Sequence, residues 1–326
     1  WKPSEYHWPA AEHFIPLLVP YLHDDDEPRP AIIVVPGGSY CFVSPWEAEP
    51  IADVFFEKGY NTFVLIYTTN PCFRGSLGYQ PLNDLARAVR LVRRYAEQWR
   101  IIPDQVAVCG FSAGGHLACS LAVHWNASFI LPDPNGNSCR PDAVLLSYPV
   151  VTMGQYTHAD SRRALLGSVF SPGQMREMSL EENVQSDTPP VFFWHTRDDE
   201  AVPVQNSLLL QKALLQNGVV HEMHLFMQGA HGAALSNERW KRNDNGTLDT
   251  EIQYRADGRY ALEHRDVSEI YPQMDLSLYS NEAEWLEACR VRRQINIEAR
   301  RTDAGIALWP ELAHCFLQRV WNSKSC

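Results

Sequence analysis

The chain has 326 residues, of which 45% are apolar and 21% charged, and a formal net charge of −11. That length supports a large core at ordinary globular composition, and no apolar run approaches the roughly eighteen residues of a membrane span, so a soluble protein is expected. The acidic field repels polyanions and no Lys/Arg stripe overrides it, which excludes nucleic acid as a partner.

Eight cysteines are scattered without a C-x-x-C pair, and several fall inside apolar stretches that read as strands or helices. Reduced thiols and a cytoplasmic location are expected. The alternative is a secreted protein whose signal peptide has been removed, since residue 1 is Trp rather than Met.

Strand-like and helix-like segments alternate from about residue 31 to 228, the pattern of an α/β fold: a mostly parallel central sheet with helices on both faces. Residues 31–35 form a β-branched run that ends at Pro36-Gly37-Gly38, and residues 60–67 (YNTFVLIY) form another. Residues 81–99 carry Leu82, Leu85, Ala88, Val89, Val92 and Ala96 at helical spacing. A strand over 105–109 leads into Gly110-Phe111-Ser112-Ala113-Gly114 and a small-residue helix to about Trp125. Further strands are predicted at 143–151, 190–196 and 221–228, with a helix over 204–217 that Gly218 terminates.

Two stretches break this rhythm. Residues 152–186 are polar with a short Leu-Leu-Gly piece and read as an insertion near the top of the sheet. Residues 236–306 are rich in charge, with a turn signal at Asn243-Asp244-Asn245-Gly246, and read as a lid, an oligomer arm or a flexible segment within a single domain spanning 1–326. Inside that stretch 282–300 has helical spacing, and a last amphipathic helix is predicted at 309–321.

The residues that carry chemistry follow strands. In G-x-S-x-G the glycines permit a sharp strand-to-helix turn that exposes the Ser112 hydroxyl, while the following helix aims its amino end, and the Ala113 N–H, at the negative oxygen of a tetrahedral intermediate. Pro36-Gly37-Gly38-Ser39-Tyr40 is a loop whose backbone can approach a substrate closely, so Gly38 or Ser39 is expected to supply a second oxyanion amide. His195-Thr196-Arg197-Asp198-Asp199 ends another strand in an H-x-x-x-D-x-x-V-P pattern, which favours Asp199 as the acid orienting an imidazole, with Asp198 as the rival. His231 lies in Gly229-Ala230-His231-Gly232, whose small neighbours would let its ring reach a serine. His116 reads as a packing residue. His124, His221 and His264 have no spacing that suggests a metal.

At this point the chain resembles the bacterial α/β-hydrolases of the acetyl-xylan-esterase and feruloyl-esterase-like branch. The resemblance is carried by PAIIVVPGGSY (30–40), SPWEAEPIADVFFEKGY (44–60), PLNDLARAVRLVRR (81–94), VAVCGFSAGGHLA (106–118), SDTPPVFFWHTRDDEAVPVQNSLLL (186–210) and GAHG, which cover most of residues 13–235 in order. It implies the α/β-hydrolase fold, the chain order Ser112, Asp199, His231 for a catalytic triad, and hydrolysis of short acyl esters, often on plant-polysaccharide fragments, with no cofactor and no metal. Pro36 and Ser39 depart from the HGGG form of the oxyanion loop, and 236–306 is longer than the family's usual link.

The expectation is a serine carboxylic-ester hydrolase that deacetylates small or oligosaccharide esters. The alternatives are a peptidase or amidase of the same fold, or a non-catalytic binding protein. Tyr40 and Trp46, beside the oxyanion loop, are candidate substrate contacts, the Trp46 indole offering a flat face for a sugar ring or else packing in the core. A homo-oligomer built through 236–306 is a further option.

Overall fold

The computed structural model describes residues 15–70, 75–242 and 280–322, with no side-chain description for 289 and 292–299. The 243–246 turn, His264, Cys72 and Cys326 lie outside the described residues, as does the Cys289 side chain. Among the described residues no helix is long and apolar enough to cross a membrane.

Seven strands build one sheet: β1 (Leu17–Tyr21), β2 (Arg29–Val35), β3 (Asn61–Ile66), β4 (Ile101–Phe111), β5 (Ala143–Ser147), β6 (Val191–Thr196) and β7 (His221–Phe226). Their spatial order is β1-β3-β2-β4-β5-β6-β7, and every neighbouring pair is parallel except β1 with β3. Side chains alternate between two cores, as the period of a strand requires. Ala31, Ile33 and Val35 face one core, and Ile32 and Val34 face the other.

The first core is covered by α2 (Gln80–Arg94), α3 (Ser112–His124) and α6 (Gln205–Gln216). The second is covered by α1 (Glu49–Glu57) and the closing helix Trp309–Asn322. Trp309 is fully buried there among Phe55, Phe111 and Trp194, and its indole N–H donates to the Ala234 carbonyl at 2.8 Å.

The differences from the sequence reading have local causes. Strand β1 is a five-residue edge strand containing Pro20, too short and interrupted to stand out. Strand β4 starts four residues earlier than expected because Ile101 pairs with Arg29 before a register shift, an irregularity that accommodates Pro103. Strand β5 stops at Ser147 rather than 151 because Tyr148, at φ +37°, turns the chain away before Pro149. The 152–186 stretch holds two short helices, α4 (Ala159–Leu166) and α5 (Pro172–Glu177), the latter opened by a Ser171/Gln174 capping box.

Candidate active site

Ser112 is the first residue of α3 and sits at φ +52°, a left-handed conformation that costs a non-glycine residue free energy. The neighbouring sequence leaves room for no relief. A Cβ on Gly110 would lie 2.3 Å from the Gly114 carbonyl oxygen, and one on Gly114 would lie 2.2 Å from the Val35 oxygen, so strand and helix touch through bare backbone. The Val150 N–H donates to the Ser112 carbonyl at 3.1 Å and pins the turn from the next strand's end.

The imidazole of His231 spans two partners. Its Nε2 lies 2.8 Å from Ser112 Oγ and its Nδ1 lies 2.7 Å from Asp199 Oδ2. A carboxylate can only accept, so Nδ1 carries the proton and Nε2 is left as the acceptor for the serine hydroxyl. The Asp199 side chain is fully buried, and its Oδ1 accepts the Ala201 and Val202 amides at 3.0 and 2.9 Å. Burial would raise the Asp199 pKa, but hydrogen bonds from His195 and His231 outweigh it and hold the carboxyl well below the usual range. His195 is itself fixed: its Nε2–H reaches the Val202 carbonyl at 2.9 Å, and Ser207 donates to its Nδ1 at 2.7 Å.

The sequence left two carboxylates open, and the structure separates them. Asp198 is exposed and accepts the Gly229 N–H at 2.8 Å, so it steadies the loop that carries His231 without touching the ring. Thr196 Oγ1 donates to the Gly229 carbonyl at 2.7 Å and secures the same loop from the other side.

Three successive residues of the loop after β2 have positive φ: Gly38 at +121°, Ser39 at +58° and Tyr40 at +61°. The Gly37 N–H is committed to Glu47 Oε2 at 2.9 Å, whereas no described residue takes the Gly38 or Ser39 N–H. The Ala113 N–H, in the first turn of α3, has no intrahelical acceptor. Gly38, Ser39 and Ser112 line the same cavity, of about 640 Å3, so the loop after β2 and the amino end of α3 meet there. This arrangement can move a proton off Ser112 and hold a nascent oxyanion.

Of the two candidate substrate contacts, one is corrected. Tyr40 is 1% exposed, and its hydroxyl meets His116 Nδ1 at 2.8 Å inside the first core, so it does not face the cavity. Trp46 does line the cavity, with Arg300 Cζ 5.7 Å from its ring centroid. His116, buried at 0% exposure, also meets the Met178 carbonyl at 2.9 Å and ties α3 to the 152–186 stretch; burial pushes its pKa down to about 4, so the ring is neutral.

The sequence reading missed Glu47 and Tyr148. Glu47, 3% exposed, accepts the Tyr148 hydroxyl at 2.7 Å, and that hydroxyl in turn accepts the Ala234 N–H at 3.1 Å. The Tyr148 ring stands edge-on to His231, centroids 5.0 Å apart. The signal available was an acid, Glu47, inside the otherwise apolar approach to α1. The described ends of 236–306 also border the cavity, through Ser236, Trp240 and 300–303, and they bind each other: Asp303 N–H donates to the Ser236 carbonyl at 2.9 Å, and Arg300 donates to the Trp240 carbonyl at 2.6 Å.

Comparisons with known proteins agree with this architecture. The model of the BD-FAE family matches residues 19–214, more than half of the chain. An endo-1,4-beta-xylanase B of Butyrivibrio fibrisolvens is 42% identical over 74% of this chain and 38% of its own length. An acetylxylan esterase of Xylanibacter ruminicola is 30% identical over 66% of this chain and 43% of its own. The chain therefore spans less than half the length of these curated relatives. Among solved structures, an acetyl ester-xyloside bifunctional hydrolase from Caldicellulosiruptor lactoaceticus superposes with a TM-score of 0.66 at 36% identity, covering 80% of this chain and 92% of that one. By sequence match and by topology, the chain belongs to the BD-FAE family and has the α/β-hydrolase fold.

Proposed function

We propose that this domain is a serine carboxylic-ester hydrolase that removes short acyl groups, acetyl foremost, from carbohydrate. The observation that carries the reading is the unbroken line from Ser112 Oγ through His231 to the buried Asp199, beside amides with no described partner. The esterase class is supported independently by relatives and neighbours named as ester hydrolases.

In the first half-reaction His231 Nε2 takes the Ser112 proton as Oγ bonds to the ester carbonyl carbon. The carbonyl oxygen becomes an anion facing the amides of Ala113 and of Gly38 or Ser39. His231, now an imidazolium held by Asp199, gives its proton to the leaving alcohol as the C–O bond breaks. Water then repeats the sequence on the acyl-enzyme, releasing the acid and restoring Ser112.

The carbohydrate part of the reading draws on the names of the Xylanibacter and Caldicellulosiruptor relatives and on the Trp46 indole at the cavity wall. It is tested by offering acetylated xylo-oligosaccharides, p-nitrophenyl acetate and a matched anilide, and measuring release of acetate, nitrophenol and aniline. Acetate release from the sugar, lost in Ser112→Ala, is the expected result. Turnover of the anilide alone would replace it with an amidase, and no labelling of Ser112 by a fluorophosphonate would leave a binding protein.

A further inference from the structure

The loop bearing Gly38 and the turn bearing His231 come from distant parts of the chain, and one buried acid reaches both. Glu47 Oε2 takes the Gly37 N–H at 2.9 Å, immediately before the Gly38 and Ser39 amides. Its Oε1 takes the Tyr148 hydroxyl at 2.7 Å, and through that hydroxyl it holds the Ala234 N–H, three residues after His231. The packing at the first of these contacts is close: a Cβ on Gly37 would lie 2.8 Å from Glu47 Oε2 and 2.9 Å from Ser112 Cβ.

We propose that Glu47 is a positioning residue for the ester hydrolysis proposed above: its carboxylate keeps the oxyanion loop and the His231 turn in one register. The inference rests on that reading of Ser112 and His231.

Both oxygens of Glu47 accept hydrogen bonds, as a carboxylate does. Burial, the largest influence, leaves the Glu47 carboxyl above its ordinary value, although the Tyr148 hydroxyl, the nearby His231, the Gly37 amide and Ser44 pull it down. Tyr67, from the end of β3, also faces it, with its hydroxyl donated to the Pro36 carbonyl at 2.8 Å. Among the described residues, the ionisable groups near His231 include Asp199 on the β6 loop, Glu47, Tyr148 after β5 and His158 at the start of α4, with Asp198, Arg300 and Arg301 on the same cavity wall. Asp199 bonds the imidazole directly, whereas Glu47 reaches the His231 turn through the Tyr148 hydroxyl and the Ala234 amide.

Glu47→Gln keeps the size of the side chain but turns one acceptor into a donor, and Tyr148→Phe keeps the ring and removes the link to Ala234. Two readouts are needed on the folded proteins: the rate of Ser112 labelling by a fluorophosphonate, and kcat and KM on p-nitrophenyl acetate. In Glu47→Gln labelling and kcat should fall by up to about 100-fold with KM little changed, as for reacting groups moved slightly out of line. Tyr148→Phe should slow both in the same direction but by less, since Glu47 still holds the Gly37 amide. A folded Glu47→Gln with wild-type labelling, or with its loss in KM rather than kcat, overturns the proposal. If Glu47→Gln does not fold, wild-type labelling in Tyr148→Phe overturns it equally. Should the native protein turn over no ester, the proposed function fails, while Ser112 labelling still decides the role of Glu47.

Discussion

The floor of the cavity and its rim are held by different means. The floor is backbone held in strained conformations: Ser112 at φ +52°, Ser39 and Tyr40 in the left-handed region, and glycines that no side chain can replace without striking a carbonyl. The rim is side chain on side chain, with Arg300 Cζ 4.6 Å from the centroid of the Trp240 ring and 5.7 Å from that of Trp46. Most of the floor falls inside residues 19–214 matched by the family model, while the rim residues Trp240 and Arg300 fall beyond it. Under the proposed function the two regions would have separate duties, the floor deciding whether bonds break and the rim what is admitted.

The largest expected effect lies in the floor. Ser112→Ala should lower kcat on p-nitrophenyl acetate by about a millionfold, with the thermal transition preserved. A loss below about a hundredfold would mean that another group attacks the ester. Next comes the pair of adjacent acids. Asp199→Asn should cost about 10,000-fold in kcat, because an amide cannot hold the same imidazole tautomer. Asp198→Asn, at the cavity edge with its described hydrogen bond to the Gly229 amide, should cost less than about tenfold. Equal losses would dissolve the distinction drawn from the geometry.

Behind the floor, a buried histidine of α3 should set the acid limit of the fold. His116 is neutral and buried, with its pKa near 4 against about 6.5 in an unfolded chain. A depressed histidine pKa means that the unfolded state binds the proton first, so stability is full above about 6.5 and falls as pH drops toward 4. The loss amounts to about 3 kcal/mol. Urea unfolding at pH 7 and pH 4 measures it, and His116→Gln should flatten that part of the profile. An unchanged slope in the variant would place the acid sensitivity elsewhere, with His124 and His158 next, since burial lowers the pKa of both; Asp199, whose carboxyl is depressed, loses its contribution only below about pH 4.

How much of this was legible beforehand follows from the range of the interactions. Ser112, Asp199 and His231 each follow a strand and carry local signals in their neighbours, so the sequence could name them and the sheet then brings them to 2.8 and 2.7 Å. Asp198 and Asp199 could not be told apart by spacing with certainty, because the choice depends on which carboxylate the chain buries after β6. Tyr40 was misread for a similar reason: a left-handed backbone at φ +61° swings its ring into the core, and a motif does not report φ. Glu47 and Tyr148 are 101 positions apart and meet only because β5 ends early, a contact no periodicity encodes.

A small effect, confined to KM, should appear at the rim, and it is the one that tests the division of labour. Arg300 is almost fully buried between two indoles, so Arg300→Ala removes a cation–π contact from each and frees the wall that Trp46 presents to the cavity. Trp46→Ala removes the wall itself. Either change should raise KM for an acetylated xylo-oligosaccharide by about tenfold, corresponding to 1.4 kcal/mol of lost stacking, and leave kcat nearly intact. On p-nitrophenyl acetate, which is too small to lean on the rim, both should behave like the unmodified protein. A kcat loss shared by both substrates would show that the rim also shapes the chemistry, through Ser236 and the turn that carries His231, and would merge the two regions into one functional unit.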